Sequence, residues 1–289
     1  MKKPDIMYEG ADILQSRAPQ GLLAPFISAF VHRRDARGGA VVMILPETRA
    51  SIQIFTADPY WLRETAEGAA WRAAPPVGFW GPRLNWAYGY ARRRLNVFAV
   101  GLTPVGVRAL ARRPVGAFVN QTPPLADIDA ALARALGDIA TSADHLEAFA
   151  AGAGAALSNA LAGAPAGIPR VSDALERLAR TGNVEPVAAE YGLSDRQFRR
   201  LFVAEFGAAP KLYQRALRLD QALKALHPRP WERNGEETAP EFADQSHMIR
   251  EFAALAGMTP KAYVESKRRH GDQILRSVVA EKIPPPEGA

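Results

Sequence analysis

Residues 184–202, VEPVAAEYGLSDRQFRRLF, decide the fold of the C-terminal half of this chain. The stretch begins as a short predicted helix with Pro186 near its start, where a missing amide hydrogen costs little. Gly192 then stands where the chain leaves this helix, a position that often needs a positive φ. Ser194 can cap the next helix by accepting hydrogen bonds from its free amides. A helix, a tight glycine turn and a capped second helix predict a helix-turn-helix unit.

The predicted helix after Ser194 separates its side chains by face. Phe198, Leu201 and Phe202 recur at helical spacing, which predicts a buried side. A second face carries three arginines and a valine, namely Arg196, Arg199, Arg200 and Val203. An arginine fork matches the O6 and N7 acceptors of guanine in the major groove. A solvated charged surface is the simpler interpretation of these arginines, but the preceding helix, glycine and cap favour DNA contact.

A second unit lies further along the chain, beyond a helix that we expect at residues 211–226. That helix would span about 24 Å, a useful length for holding two units about one DNA turn, ~34 Å, apart. Residues 242–252, FADQSHMIREF, repeat the cap, the polar exposed positions and the closing phenylalanine of the first unit. A Gly-x-x-Pro exit follows both units, at Gly207 and Gly257, and the offset from Ser194 to Asp244 is 50 residues.

These paired units resemble the double helix-turn-helix domain of the AraC/XylS family of transcription regulators, over about 105 residues. The resemblance implies two recognition helices that enter successive major grooves of double-stranded DNA. It implies base contacts from six positions: Arg196, Arg199, Arg200, Gln245, Ser246 and Arg250. His247, Lys267, Arg268 and Arg269 would lie nearer the phosphates. RNA polymerase and a second copy of the chain are further candidate partners.

The stretch that should support the second unit departs from the family's pattern. Residues 234–242, NGEETAPEF, contain Gly235, paired glutamates and Pro240, which form helices poorly, and Glu241 replaces the usual turn glycine. The acidic residues would also repel phosphate. We therefore expect base-specific affinity to depend mainly on the first unit.

The rest of the chain predicts a different architecture. In residues 1–124 short apolar segments alternate with turn formers, which predicts short strands in a β-sandwich or barrel. We expect a helical segment at residues 125–162, a linker at 163–169, the DNA-binding domain at 170–276 and a disordered tail at 277–289. The predicted class is α+β, with a mostly-β N-terminal barrel and an all-α C-terminal domain whose two units are joined by a central helix.

The N-terminal region concentrates aromatic residues, most of which we interpret as packing residues. Residues 98–107 weakly resemble the end of the cupin-like sensor domains that are fused to such regulators. Some of the aromatic residues could instead line a barrel pocket for an unidentified small-molecule effector, with Arg83 or residues 92–94 holding an acidic group. The candidate ligand-binding residues are Trp80, Arg83, Trp86 and Tyr88. A ligand or a dimer contact would then change how the linker presents the DNA-binding domain.

Composition narrows the function classes. The chain has no cysteine, and His32 is the single histidine of its first 124 residues, so we expect no metal site, no cofactor and no enzyme activity there. The net charge of +6 suits an anionic partner such as DNA. No secretory or membrane-spanning pattern is present in the sequence, which predicts a cytoplasmic protein. The alternative function is a small-molecule-binding or scaffold protein whose DNA-binding domain is degenerate.

Overall fold

The computed structural model describes residues 13–35, 39–66, 69–162, 173–226, 245–269, 278–280 and 282–287. Within these ranges the chain forms an N-terminal β region, two helices packed against it, and a C-terminal helical part, which confirms the α+β class. The linker expected at residues 163–169 lies outside the described residues. No helix among the described residues is long and apolar enough to cross a membrane.

Two five-stranded antiparallel sheets make up the β region. In spatial order the first sheet contains β1 (Ile13–Arg17), β2 (Ile27–Asp35), β9 (Leu95–Leu102), β4 (Ala50–Phe55) and β7 (Val77–Trp80). The second contains β10 (Val278–Val279), β3 (Val41–Ile44), β8 (Ala87–Ala91), β5 (Tyr60–Glu64) and β6 (Arg72–Ala73). Short strands between turns were the prediction for this region.

Strand β4 shows how the first sheet uses its two faces. Ile52 and Ile54 are buried in the main hydrophobic core, on the side covered by α2 (Ala130–Ser142) and α3 (Leu146–Leu161). Ser51 and Gln53 alternate with them and line a cavity between the two sheets. The two helices therefore supply the apolar cover of the sheet, and Phe149 of α3 stacks on Phe98 with ring centroids 4.7 Å apart.

The remaining α-helices are α1 (Pro104–Ala111), α4 (Ala174–Thr181), α5 (Val184–Glu190), α6 (Asp195–Phe206), α7 (Pro210–Leu226), α8 (Gln245–Ala256) and α9 (Pro260–Arg269). Of these, α1 follows the last strand of the first sheet and the others form the C-terminal part of the chain. One continuous hydrophobic core runs from the first sheet through α2 and α3 to α4–α7. A separate core joins α8 and α9 to the end of α7 and to β3.

The structure describes residues 278–280 and 282–287 of the C-terminal tail, for which the expectation of disorder is wrong. Val278–Val279 pairs with β3 as an edge strand, and the Ala280 amide donates to the Val41 carbonyl at 2.8 Å. The Trp71 indole nitrogen donates to the Pro284 carbonyl at 3.2 Å. Pairing satisfies the backbone groups that β3 would otherwise expose at the sheet edge. Local composition does not reveal that such an edge lies within reach of the tail.

Candidate nucleic-acid interface

The first helix-turn-helix unit consists of α5, a tight turn and α6. Gly192 in the turn has a φ of +63°, as predicted. The Ser194 hydroxyl accepts from the Gln197 amide, and the Gln197 side chain accepts from the Ser194 amide at 3.0 Å. This capping box satisfies two amides that the start of a helix leaves unpaired. The start and the direction of α6 are thereby fixed by local sequence.

Aromatic packing holds α6 against the rest of the unit. Phe198, Phe202 and Phe206 are fully buried along one face of the helix. Tyr213 of α7 packs on Phe202 and Phe206, and its hydroxyl donates to the Phe206 carbonyl at 2.9 Å. A helix that is anchored through three buried aromatic rings presents its outer face rigidly.

Leu201 does not belong to this buried face, contrary to the prediction from sequence. Its side chain is 38% exposed, while Phe198 and Phe202 on either side are buried. Successive helical residues are rotated by about 100°, which turns Leu201 away from Phe202 and towards solvent. Phe206, one turn further on, occupies the core position instead.

The arginine face of α6 is open to solvent. Arg196, Arg199 and Arg200 are exposed, and Val203 beside them is 44% exposed. The Arg199 guanidinium pairs with Asp195 one turn earlier, with Nε 2.9 Å from Oδ2. Exposed pairs of this kind contribute about 0–1 kcal/mol, so Arg199 can exchange its carboxylate partner for a base or a phosphate. The structure thus brings the three predicted arginines together on one accessible surface.

The second unit contains α8 and α9 around a small core. Phe252, Leu255 and Tyr263 are buried in it, and Arg250 is exposed on α8. The Lys267 ammonium lies 5.9 Å from the centroid of the Tyr263 ring. The side chains of Gln245, Ser246, His247, Arg268 and Arg269 lie outside the described residues, as does the weak supporting stretch at residues 234–242. The contacts expected from those five side chains stay predictions.

Helix α7 joins the two units. Tyr213 near its start belongs to the core of the first unit, and Leu219 and Leu223 near its end belong to the core of the second. Arg215 of α7 pairs with Glu251 of α8, with Nε 2.6 Å from Oε2. Both units are therefore attached to one helix, α7.

Residues N-terminal to α2 contact α6 and α8 at the glycines that end these two helices. Gly207 after α6 has a φ of +72°, and a Cβ there would lie 2.7 Å from the Cα of Gly116. Gly257 after α8 has a φ of +70°, and a Cβ there would lie 2.7 Å from the Trp86 indole. Glycine permits both the left-handed backbone and the close approach.

A buried ion pair adds to the contact at the end of α6. Glu205 is 4% exposed, and its Oε2 lies 3.7 Å from Nη1 of Arg108 on α1. Its Oε1 has no hydrogen-bond partner in the described part of the chain. Burial raises the pKa of the Glu205 carboxyl, and the charge of Arg108 opposes this rise. The last turn of α6 is thus coupled electrostatically to the N-terminal region.

The four candidate ligand-binding residues do not share one pocket. Trp80 and Arg83 line a cavity of about 230 Å³ between the two sheets. Trp86 and Tyr88 pack instead against the core of the second unit. Side chains alternate along a strand, and Gly89 faces Tyr60 between the sheets, so Tyr88 must lie on the outer face. Once β8 is assigned in the sequence, the alternation of its side chains predicts that Tyr88 and Gly89 face opposite sides of the sheet.

The arginines expected from the sequence to hold an acidic group do not do so in this cavity, although Arg33 and Arg49 also line it. Arg83 forms a two-point contact with Glu64, with Nη1 2.8 Å and Nη2 3.2 Å from the carboxylate oxygens, so its charge is already neutralised. Residues 92–94 are exposed in the turn between β8 and β9 and do not line the cavity. Trp80 Nε1 and Thr122 Oγ1 are buried without a hydrogen-bond partner among the described residues. The described residues contain no group of three side chains that could hold a metal ion.

A comparison of the sequence with known protein families assigns one domain in the C-terminal part. Residues 187–266 match a family described as a helix-turn-helix domain. No curated protein matches the sequence.

Three solved structures resemble the fold at low sequence identity. An apo variant of ToxT from Vibrio cholerae strain SCE256 is 9% identical with a TM-score of 0.48, over 86% of this chain and 99% of that one. Wild-type ToxT of the same strain bound to an unsaturated fatty acid is 11% identical with a TM-score of 0.43, over 81% and 94%. The AraC-like transcriptional activator CuxR is 13% identical with a TM-score of 0.24, over 72% and 86%.

The matched residues begin within α5 and end within α9, so they include both recognition helices and the helix that joins them. The C-terminal part of this chain therefore contains a helix-turn-helix domain.

Proposed function

We propose that this protein is a transcription regulator that binds specific double-stranded DNA sequences through α6 and α8. The observation that carries the proposal is the face of α6, where Arg196, Arg199 and Arg200 are exposed together on a capped and fully packed helix. Arginines on such a helix can donate to guanine acceptors in the major groove. The proposed activity is binding rather than catalysis, and the proposed location is the cytoplasm.

The two units would contribute unequally to recognition. Helix α6 offers three exposed arginines, while Arg250 is the exposed arginine of α8 within the described residues. Three glutamates in residues 236–241 add negative charge next to α8 in the sequence. Each good base contact is worth about 1–3 kcal/mol, so the first unit would supply most of the specificity.

The N-terminal cavity is the proposed effector site. Ile44 of β3 lines the cavity, while its neighbour Met43 packs in the core of the second unit. Leu45 and Leu223 belong to both the cavity wall and that core. A ligand that moves these side chains would change how firmly α8 is held. Regulation needs such a ligand, whose contacts differ between the two arrangements of the protein.

The chemistry of the cavity indicates the kind of effector. Phe55, Trp80 and Val97 offer apolar surface, and the free donor of Trp80 and the hydroxyl of Thr122 offer polar contacts. Glu64 already neutralises Arg83, but Arg33 and Arg49 also line the cavity, so we propose a small, mostly apolar molecule that carries a hydrogen-bond acceptor. RNA polymerase and a second copy of the chain are the further partners proposed for such a regulator.

An electrophoretic shift with the DNA upstream of the protein's own gene tests the function. We expect the protein to shift this DNA. Its affinity for the DNA should fall steeply as the salt concentration rises, because arginines that neutralise phosphates release counterions. A variant with Arg196, Arg199 and Arg200 replaced by alanine should lose the shift, while Leu201→Ala on the same helix should keep it. Absence of any shift at low salt, with or without cell extract, would favour the alternative of a small-molecule-binding or scaffold protein, for which the cavity is the supporting observation.

A further inference from the structure

Ile249 on α8 is a large apolar side chain with 39% of its surface exposed. Single exposed aliphatic residues are common and usually need no explanation. The position of Ile249 relative to the first unit, however, places it on the surface that faces DNA in the proposed function.

The two recognition helices follow one plan with an offset of 50 residues. Both α6 and α8 have 12 residues. Buried Phe202 corresponds to Phe252, and buried Tyr213 to Tyr263. The left-handed glycines that end the helices, Gly207 and Gly257, keep the same offset. Each pair has the same structural role, so the offset can be applied to the exposed positions as well.

The same offset aligns Ile249 with Arg199, the fifth residue of each helix. At about 100° per residue, Ile249 lies roughly 60° around the helix from buried Phe252 and next to exposed Arg250. It is therefore at the edge of the exposed face, towards the start of the helix. Residues near the start of a recognition helix are those that reach base edges in the major groove.

The chemistry of this side chain determines what it can read. Isoleucine has no donor or acceptor, so it cannot replace the hydrogen bonds that Arg199 would make to guanine. The apolar group that the major groove offers is the 5-methyl group of thymine. We infer that Ile249 contacts a thymine methyl group in the half-site bound by α8, at the place where Arg199 would contact a base in the other half-site. This inference rests on the proposed function.

Replacing thymine by uracil removes that methyl group and leaves every hydrogen bond of the base pair in place. The full chain is first used to select its binding site from random duplexes, and each thymine of the second half-site is then replaced singly by uracil. We expect one position at which the wild-type protein binds about threefold to fivefold more weakly with uracil, the effect of losing about one buried methyl contact. Ile249→Ala should bind thymine and uracil equally there.

Leu201→Ala is the matched control, because Leu201 is a 38% exposed aliphatic residue on α6 that lies off the arginine face. It should leave the thymine-to-uracil ratio unchanged. A second variant, Ile249→Arg, should shift the selected base from thymine towards guanine.

Three results would overturn the inference, and they separate it from the proposed function. Equal wild-type affinity for thymine and uracil at every position, or an unchanged ratio in Ile249→Ala, overturns the Ile249 contact alone. Failure of the selection to enrich any sequence overturns the proposed function together with it.

Discussion

The two helix-turn-helix units share a plan but differ in what lies behind them. The first unit is part of the continuous core that includes α2, α3 and the first sheet. Among the described residues, the second has a smaller core, which it shares with the end of α7 and with Met43 and Leu45 of the β region. The comparison indicates that repeated residues such as Tyr213 and Tyr263 define each unit, whereas the surrounding structure determines how firmly the unit is held.

From this difference we propose separate roles for the two units. The firmly held unit carries the three exposed arginines, and the more weakly held unit touches the side chains that line the cavity. We interpret the first unit as the main reader of sequence and the second as the one that an effector can move. Changes at corresponding positions of the two units test this interpretation.

The largest effect is expected from the paired core phenylalanines. Phe202→Ala should lower the free energy of unfolding by about 3–5 kcal/mol, the usual cost of removing a buried aromatic ring. Phe252→Ala should cost less, because its core is smaller and can collapse more readily into the space left. Urea denaturation followed by circular dichroism measures both values. An equal or larger loss from Phe252→Ala would contradict the difference in support.

Replacing the glycines that end α6 and α8 should also destabilise the first unit more than the second. Either alanine substitution carries about 1–2 kcal/mol of left-handed strain. At Gly207 the new Cβ also meets the backbone of Gly116, whereas at Gly257 it meets the side chains of Trp86 and Met43, which can move. Gly207→Ala should therefore destabilise the protein by an additional 1–3 kcal/mol or so, the range for overpacked sites.

Thermal unfolding of the two glycine variants is a sufficient measurement. Gly192→Ala is a useful control, because it carries the same backbone strain with open space around the new Cβ. If Gly257→Ala is the more damaging of the two helix-ending variants, the second unit is held more rigidly than we describe.

The smallest expected effect is the pH dependence that Glu205 gives to the first unit. Burial raises the pKa of this carboxyl in the folded protein, so the folded state binds the proton more readily than the unfolded state. The free energy of unfolding should therefore fall as the pH rises from about 4.3, the ordinary glutamate pKa, through the raised folded value. Glu205→Gln should make this decline shallower.

Urea denaturation at a series of pH values from about 4.3 upwards checks this expectation. Glu185→Gln, on the exposed surface of α5, is the control and should follow the wild type. If the free energy of unfolding of Glu205→Gln falls with pH as steeply as that of the wild type, the buried carboxyl is not the cause of the pH dependence.

Sequence predicted those parts of the molecule that depend on local chemistry. The turn at Gly192, the cap at Ser194 and the arginine face of α6 follow from neighbouring residues and are found in the structure. The helix-turn-helix domain itself was predicted from the same residues, and the family comparison matches one at residues 187–266.

The features that sequence missed depend on residues distant in the chain. Trp86 was expected near a ligand, but it packs against Gly257, about 170 residues away in the sequence. The tail was expected to be disordered, but Val278–Val279 finds the open edge of β3. The exposure of Ile249, from which its proposed base contact is argued, also depends on the packing of α8 and is seen only in the structure.

The central claim, that the first unit dominates recognition, is tested most directly by comparing Arg199→Ala with Arg250→Ala on the selected DNA site. The measurement is fluorescence anisotropy at a fixed salt concentration. We expect Arg199→Ala to weaken binding by about 1–3 kcal/mol, roughly fivefold to 150-fold, and Arg250→Ala to weaken it less. A larger loss from Arg250→Ala would contradict the central claim.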